Sequence, residues 1–179
     1  MRKLEIGPGP SKIGQDWTTV GDFAREGVVD HVCMWGHEPL PLKDNSFDLV
    51  YASHSLEHVP WYLVNDALSE CFRVLAPGGK IEIHVPDFEY IVKCYLEKKV
   101  GDPWIKFNNR EHPLMWAASR VFSYGPTFSN YHKAAFDQDY LFHALTKAGF
   151  TNPTRLTEGV PFQYHGPINI GVSAEKPSK

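Results

Sequence analysis

Two segments carry apolar residues at the three- and four-residue steps that place them on one face of a helix. The first repeat runs through residues 64–75 and stops at Pro77-Gly78-Gly79, and the second spans residues 138–148 before Gly149. Two shorter helices are also expected. Asp87 can cap one that reaches about residue 100, and the other falls near residues 114–122. All of these helices follow residue 63.

Strand patterns lie before and between these helices and at the end of the chain. Residues 3–7, 80–86 and 168–175 alternate apolar and polar positions, as half-buried strands do. Weaker patterns cover residues 17–22, 28–35, 48–53 and 155–158. Strands that alternate with helices predict an α/β fold with a mostly parallel sheet. Because no helix separates the last two strands, they should pair as an antiparallel hairpin at the sheet edge.

The early connections are too short for helices. Residues 8–17 and 23–28 link the first three strands, whereas a parallel crossover takes about a dozen residues or more. One face of the sheet should therefore have reduced helical cover. The alternating strands agree, because a strand buried on both faces would read as a continuous apolar run. We expect one dry face and one face that is wet or covered by a partner, which a homo-oligomer could supply.

Length and charge narrow the class of protein. A chain of 179 residues and 20.3 kDa fits one domain, residues 1–179. The net charge of −3 argues against nonspecific nucleic-acid binding. Cys33, Cys71 and Cys94 lack metal or CxxC spacing, which predicts free thiols in a reducing compartment. No signal peptide or membrane-spanning run is evident, so a cytoplasmic protein without membrane or nucleic-acid partners is expected.

Glycines follow the first strand in the segment Gly7-Pro8-Gly9. Glycine there lets the backbone approach a ligand, and in α/β sheets ligands bind at the carboxyl ends of the strands. A tight turn without a ligand is the alternative. A nicotinamide-binding fold is a poor match, because its third glycine would stand where this chain has Lys12.

Three segments in order, LEIGPGP, PLPLKDNSFDLVYASHSLEHV and ECFRVLAPGGKIEIHVPD, resemble class I S-adenosylmethionine-dependent methyltransferases. The nearer resemblance is to small predicted methyltransferases of bacteria and phages, often associated with polysaccharide pathways. The segment Tyr131-His132-Lys133 and the later LFHALTKAGF resemble the same group. The resemblance covers nearly the whole chain and implies a Rossmann-like fold.

The resemblance also implies roles for residues at the strand ends. Those expected to border the methionine part of the cofactor are Glu5, Gly7, Pro8 and Gly9. Asp22 would accept hydrogen bonds from the ribose hydroxyls, and capping the strand end is its alternative role. The acid stands one residue later than in the family, after Val20-Gly21. The ribose contact therefore stays open.

The other expected contacts follow the third and fourth strands. Met34 and Trp35 would either contact the adenine or pack in the core. Ser53 and His54 would face the reaction centre. His58 follows four residues later, but no third ligand is evident. No metal site is therefore expected, and a capping or buried histidine is the favoured interpretation.

Residues 101–133 form an aromatic insertion where the family places substrate-contacting elements, although core or lid packing is equally open. Its aromatic residues are Trp104, Phe107, Trp116, Phe122, Tyr124, Phe128 and Tyr131. His132, together with His54, is a candidate general base.

The sequence thus predicts a methyltransferase that uses S-adenosyl-L-methionine and acts on a small-molecule or glycan acceptor, with a sugar hydroxyl as one option. A non-catalytic binding or assembly protein with the same fold is the alternative.

Overall fold

The computed structural model describes residues 1–100, 112–123, 130–156 and 166–178. The strands are β1 (Lys3–Ile6), β2 (Trp17–Gly21), β3 (His31–Val32), β4 (Phe47–Ser53), β5 (Leu75–Pro86), β6 (Thr151–Leu156) and β7 (Asn169–Glu175). The α-helices of the described residues are α1 (Val64–Val74), α2 (Phe88–Leu96), α3 (Pro113–Phe122) and α4 (Gln138–Lys147). Single 3-10 turns span Leu56–His58, Trp61–Leu63 and Gly166–Ile168. In this part of the chain no helix is long and apolar enough to cross a membrane.

One seven-stranded sheet organises the fold, in the order β3-β2-β1-β4-β5-β7-β6. Strands β1 to β5 pair in parallel, and β7 runs antiparallel to both β5 and β6. The predicted α/β class and the terminal hairpin at the sheet edge are confirmed. Because β1, β2 and β4 are parallel neighbours, their carboxyl ends open onto one side of the molecule.

Helices α1 and α4 cover one face of the sheet. Their buried residues, such as Leu68 and Leu145, share one apolar cluster with Leu4, Val50 and Ile81 from three neighbouring strands. Each fully buried side chain of this size contributes about 1.5–3 kcal/mol. This is the dry face that the alternating strands predict.

The opposite face is covered by a loop instead of a helix over β1 and β2. Lys3 and Glu5 point to this face, where Lys3 pairs with Asp16 and Glu5 Oε2 accepts a hydrogen bond of 3.0 Å from the Ile13 amide. The reduced helical cover is thus confirmed. The central positions of this face, Trp17, Thr19, Tyr51 and His84, are nevertheless buried by the chain itself. The expectation that water or a partner covers this face is therefore wrong at these positions.

Three strands differ clearly from the sequence prediction, and helix α2 ends at Leu96 instead of near residue 100. The third strand shrinks to His31–Val32, because Asp30 turns its carboxylate to Lys12 and to the Thr19 amide. Strand β5 begins at Leu75 and absorbs the predicted Pro77-Gly78-Gly79 turn as an irregularity in its pairing with β4. The edge strand starts at Thr151, and the remainder of its predicted range lies outside the described residues.

Helices α2 and α3 form a separate small cluster. Trp116 of α3 is fully buried and packs with Ile91 and Cys94 of α2 and with Ile168. The Asp87 cap is confirmed, because its Oδ1 accepts a hydrogen bond of 3.2 Å from the Tyr90 amide. Much of the aromatic insertion, residues 101–111 and 124–129, lies outside the described residues.

Candidate active site

A cavity of about 650 Å³ opens at the carboxyl ends of β1, β2 and β4. Small-molecule sites in proteins typically enclose about 300–1,000 Å³, so the space suits a nucleoside-sized guest. Residues expected at the site that do line it are Gly7, Pro8, Gly9, Asp22, Met34, Trp35 and His54. The structure therefore brings together, around one cavity, residues that follow four different strands in the sequence.

The loop after β1 lines this cavity, and at Gly7 no side chain separates its backbone from the neighbouring Ser55. Gly7 has a φ of 73°, and a Cβ built there would overlap Ser55 Oγ and lie 2.9 Å from Ser55 Cβ. Ser55 is itself anchored, because its Oγ donates a 2.9 Å hydrogen bond to the Ile6 carbonyl. Only glycine fits this close contact, which favours a built loop over a chance turn.

Two of the expected cofactor-binding residues, Glu5 and Ser53, do not line the cavity. Glu5 is 5% exposed and its carboxylate supports the loop through the Ile13 amide. Burial raises the pKa of this carboxyl, with the Ile13 hydrogen bond and the Lys12 charge acting against it. The side chain of Glu5 alternates with that of Ile6, which does reach the cavity. Ser53 is half-buried and does not line the cavity, whereas Ser55, two residues later, does.

Asp22, Met34 and Trp35 reach the cavity in different ways. Asp22 directly follows β2 and is exposed on the cavity wall. Although it stands one residue later than the acid of the resembled family, it still lines the cavity. Met34 is 54% exposed. Trp35 is 8% exposed and belongs to the main core, and its Nε1 donates a 3.0 Å hydrogen bond to the Ala67 carbonyl. Of the two interpretations, contact with a ligand remains possible for Met34, whereas Trp35 packs in the core.

An acid–histidine group forms the side of the cavity after β4. His54 has a φ of 51°, a conformation that costs a residue other than glycine about 1–2 kcal/mol. That backbone turn aims its Nδ1 at the buried Glu57 carboxylate, with 3.0 Å between Nδ1 and Oε1. Since the carboxylate accepts, Nδ1 carries the proton in the neutral ring and Nε2 is left as the basic nitrogen. Sequence reasoning had not singled out Glu57.

His132 lies behind this group and does not line the cavity. Its Nδ1 donates to the Arg120 carbonyl at 3.0 Å, and its Nε2 lies 4.0 Å from Glu57 Oε1. Burial is the main cause of a lowered pKa for His132, with the Glu57 charge acting in the opposite direction. His132 therefore contacts the site through Glu57, whereas the neighbouring Lys133 reaches the cavity directly.

Exposed aromatic residues surround the mouth of the cavity. Trp61 is 70% exposed, Tyr62 is 62% exposed and Phe23 is 52% exposed, and all three line the cavity. The sequence analysis missed them. The signal that could have indicated Trp61 and Tyr62 was their position: two large aromatic residues follow His58 in a segment before the first predicted helix.

An open α/β sheet with a ligand-sized cavity above its first, second and fourth strand ends is the architecture of S-adenosylmethionine-dependent methyltransferases. A family profile described as a methyltransferase domain matches residues 14–83. Among solved structures, a SAM-dependent methyltransferase from Methanosarcina mazei has the same fold with a TM-score of 0.61 and 19% identity. The superposition covers 99% of this chain and 93% of that one. Residues 14–83 thus match a methyltransferase domain, and the chain has the fold of a SAM-dependent methyltransferase.

Curated relatives carry names from quinone biosynthesis. A demethylmenaquinone methyltransferase of Staphylococcus haemolyticus is 44% identical over 117 residues, which cover 62% of this chain and 44% of that protein. A ubiquinone/menaquinone biosynthesis C-methyltransferase UbiE of Pseudoalteromonas translucida is 31% identical over 162 residues, covering 87% and 59%. The chain spans about half the length of the curated relatives that it matches. Neither name refers to polysaccharides, with which the sequence motifs had been associated.

Proposed function

We propose that this protein transfers a methyl group from S-adenosylmethionine to a small apolar ring that carries a hydroxyl group, such as a quinol. One observation carries the proposal: a single cavity joins the glycine loop after β1 to the His54–Glu57 pair after β4. The first feature suits the cofactor and the second suits a proton acceptor. Methyl transfer to a hydroxylated acceptor needs both side by side.

The residues present fit the cofactor. The backbone at Gly7 and Gly9 offers a close approach, the Asp22 carboxylate offers acceptors to the ribose hydroxyls, and Met34 offers an apolar surface to the base. When bound, the cofactor supplies an electrophilic methyl group on a positively charged sulfur. The task of the protein is then mainly to align the acceptor and to take up its proton.

His54 is the better placed of the two candidate bases, because it lines the cavity and His132 does not. Glu57 holds the proton on Nδ1, so Nε2 of the neutral ring keeps its lone pair. Nε2 itself is buried, so the ring must shift toward the cavity before this nitrogen takes up a hydroxyl proton. Glu57 also stabilises the imidazolium that results. A positioned base of this kind contributes about 10²- to 10⁴-fold to the rate.

The walls of the cavity favour a flat apolar acceptor over a sugar. Trp61, Tyr62 and Phe23 at its mouth present aromatic surface, against which an aromatic ring stacks well. A sugar would bring several hydroxyl groups into apolar surroundings, and each one left without a partner is costly. The names of the curated relatives agree with a quinone-type acceptor.

Calorimetry with S-adenosylmethionine, followed by turnover with a demethylated quinol and a nucleotide sugar, tests the proposal. We expect binding, and methylation of the quinol. His54→Ala should keep cofactor affinity and lose turnover by about 10²- to 10⁴-fold. His143→Ala is the matched control, since His143 is exposed on α4. Absence of cofactor binding would refute the enzyme and favour the non-catalytic alternative, whereas methylation of the sugar alone would refute the acceptor class.

A further inference from the structure

A second group of polar side chains surrounds the buried Glu57 carboxylate. One ligand atom from each of Glu57, His58 and His132 lies within 4.8 Å of the other two. Glu57 is 1% exposed, and its Oε2 has no hydrogen-bond partner among the residues that the structure describes. The ion pairs of the described residues give this carboxylate only histidine partners. A buried carboxylate oxygen without a donor is costly, so the position favours a cation.

Both of the neighbouring imidazoles are held in the tautomer that a metal ligand needs. His58 Nδ1 lies 3.2 Å from the Tyr131 carbonyl oxygen, and His132 Nδ1 lies 3.0 Å from the Arg120 carbonyl oxygen. A carbonyl oxygen only accepts, so each Nδ1 carries the proton and each Nε2 keeps its lone pair. Histidines that bind metals through one nitrogen typically donate the other N–H to a carbonyl or carboxylate in this way.

We propose that Glu57, His58 and His132 bind a divalent transition-metal ion, with zinc as the best fit. Two imidazole nitrogens and one carboxylate suit zinc with a water in the fourth position, whereas Mg²⁺ and Ca²⁺ prefer all-oxygen sites. With zinc–nitrogen bonds of about 2.1 Å, tetrahedral ligand atoms lie roughly 3.3 Å apart. The side chains must therefore close by about 1 Å on binding. No third ligand was evident from the sequence, because His132 lies far from Glu57 and His58 along the chain.

The ion would join two segments that the backbone already brings together. Glu57 and His58 belong to the 3-10 turn Leu56–His58. The segment of His132 is tied to this turn, because the Lys133 and Ala134 amides both donate to the Glu57 carbonyl, at 2.7 and 3.2 Å. Metal binding should therefore stabilise the folded chain, and it does not depend on the proposed methyl transfer.

The test uses the untagged chain, freed of metal by chelation and dialysis. We expect Zn²⁺ calorimetry to give one ion per chain and Co²⁺ to give the visible absorption of a nitrogen- and oxygen-bound site. His58→Ala, His132→Ala and Glu57→Gln should each weaken Zn²⁺ binding by about tenfold or more. His143→Ala should bind as the parent does. A hundredfold excess over the parent's Kd should raise the Tm of the parent by about 5–10 °C, and the same concentration should raise that of the variants by about half as much or less.

Two results would overturn the proposal: no Zn²⁺ binding by the parent, or binding that all three substitutions leave intact. The second result would place the ion on other ligands, for which the chain has seven further histidines besides His58 and His132, nine in all. Circular dichroism checks that each variant folds. Because His58 is only half-buried, its variant keeps the test decisive even if Glu57→Gln fails to fold.

Discussion

Replacing Gly7 with alanine tests the close contact between Gly7 and Ser55, which shapes the proposed cofactor-binding loop after β1. The φ of 73° alone costs an alanine about 1–2 kcal/mol. The new Cβ would also overlap Ser55 Oγ, so Ser55 must move and its hydrogen bond to the Ile6 carbonyl is lost, for about another 0.5–1.5 kcal/mol. With some residual crowding against Ser55 Cβ, we expect Gly7→Ala to lower the free energy of unfolding by about 2–4 kcal/mol.

Gly9 provides a matched control within the same loop. Its φ is 59°, but a Cβ there would meet no atom within 4 Å. Gly9→Ala should therefore cost only the backbone term, about 1–2 kcal/mol. Urea unfolding of the two variants measures the difference, and calorimetry with S-adenosylhomocysteine should show the larger loss of affinity for Gly7→Ala.

Ser55→Ala in the Gly7→Ala background separates the two contributions. Removing the hydroxyl relieves the overlap with Oγ, so the double variant should regain part of the lost stability, and the two substitutions should be coupled. Equal losses for Gly7→Ala and Gly9→Ala, or strict additivity with Ser55→Ala, would show that Ser55 does not restrict this loop and would refute the steric argument.

Three further outcomes are expected elsewhere in the molecule. Burial, with nearby acids adding to it, raises the pKa of the Cys33 thiol to about 11, so a thiol reagent at pH 8 should react with Cys33 only after unfolding. Leu68→Ala should lower the free energy of unfolding by about 2–5 kcal/mol in urea, since Leu68 is fully buried. The hydrogen bond from Lys12 lowers the pKa of Asp30. Asp30→Asn should therefore cost roughly 1 kcal/mol or less at pH 7 in urea titrations. The difference should shrink as the pH falls below about 4 and vanish below the lowered pKa of Asp30. A difference that persists at pH 2 would contradict this.

The parts of the fold that follow from local periodicity were predictable from the sequence. Helix α1 and the Asp87 cap both depend on residues within a few positions of one another, and both were anticipated. The short third strand was overestimated, because the apolar pattern of residues 28–35 does not show that Asp30 serves Lys12 and Thr19. That competition exists only in three dimensions.

The candidate site shows the same limit more sharply. Glycines at a strand end and a histidine after β4 mark the site in the sequence. Ser55 does not, because its Oγ binds the carbonyl of Ile6, which is far along the chain. Glu57 lies only three residues from His54, but its local pattern does not show that its carboxylate is buried against that ring. The buried polar residue His84 lies on the loop-covered face, which was expected to be wet or covered by a partner, since alternation does not show what a loop will cover.

The two halves of the site have different origins in this fold, and the difference bears on substrate choice. The proposed cofactor half is formed by strand ends, which the sheet fixes relative to one another. The proposed acceptor half is formed where the segment from Asn130 to Ala134 crosses the Leu56–His58 turn, held by the Glu57 carbonyl and by a 3.1 Å hydrogen bond from Lys133 Nζ to the His58 carbonyl. Such a crossing can change without disturbing the sheet. Specificity for the acceptor should therefore vary among proteins that share this fold, because function resides in the site and not in the sheet that supports it.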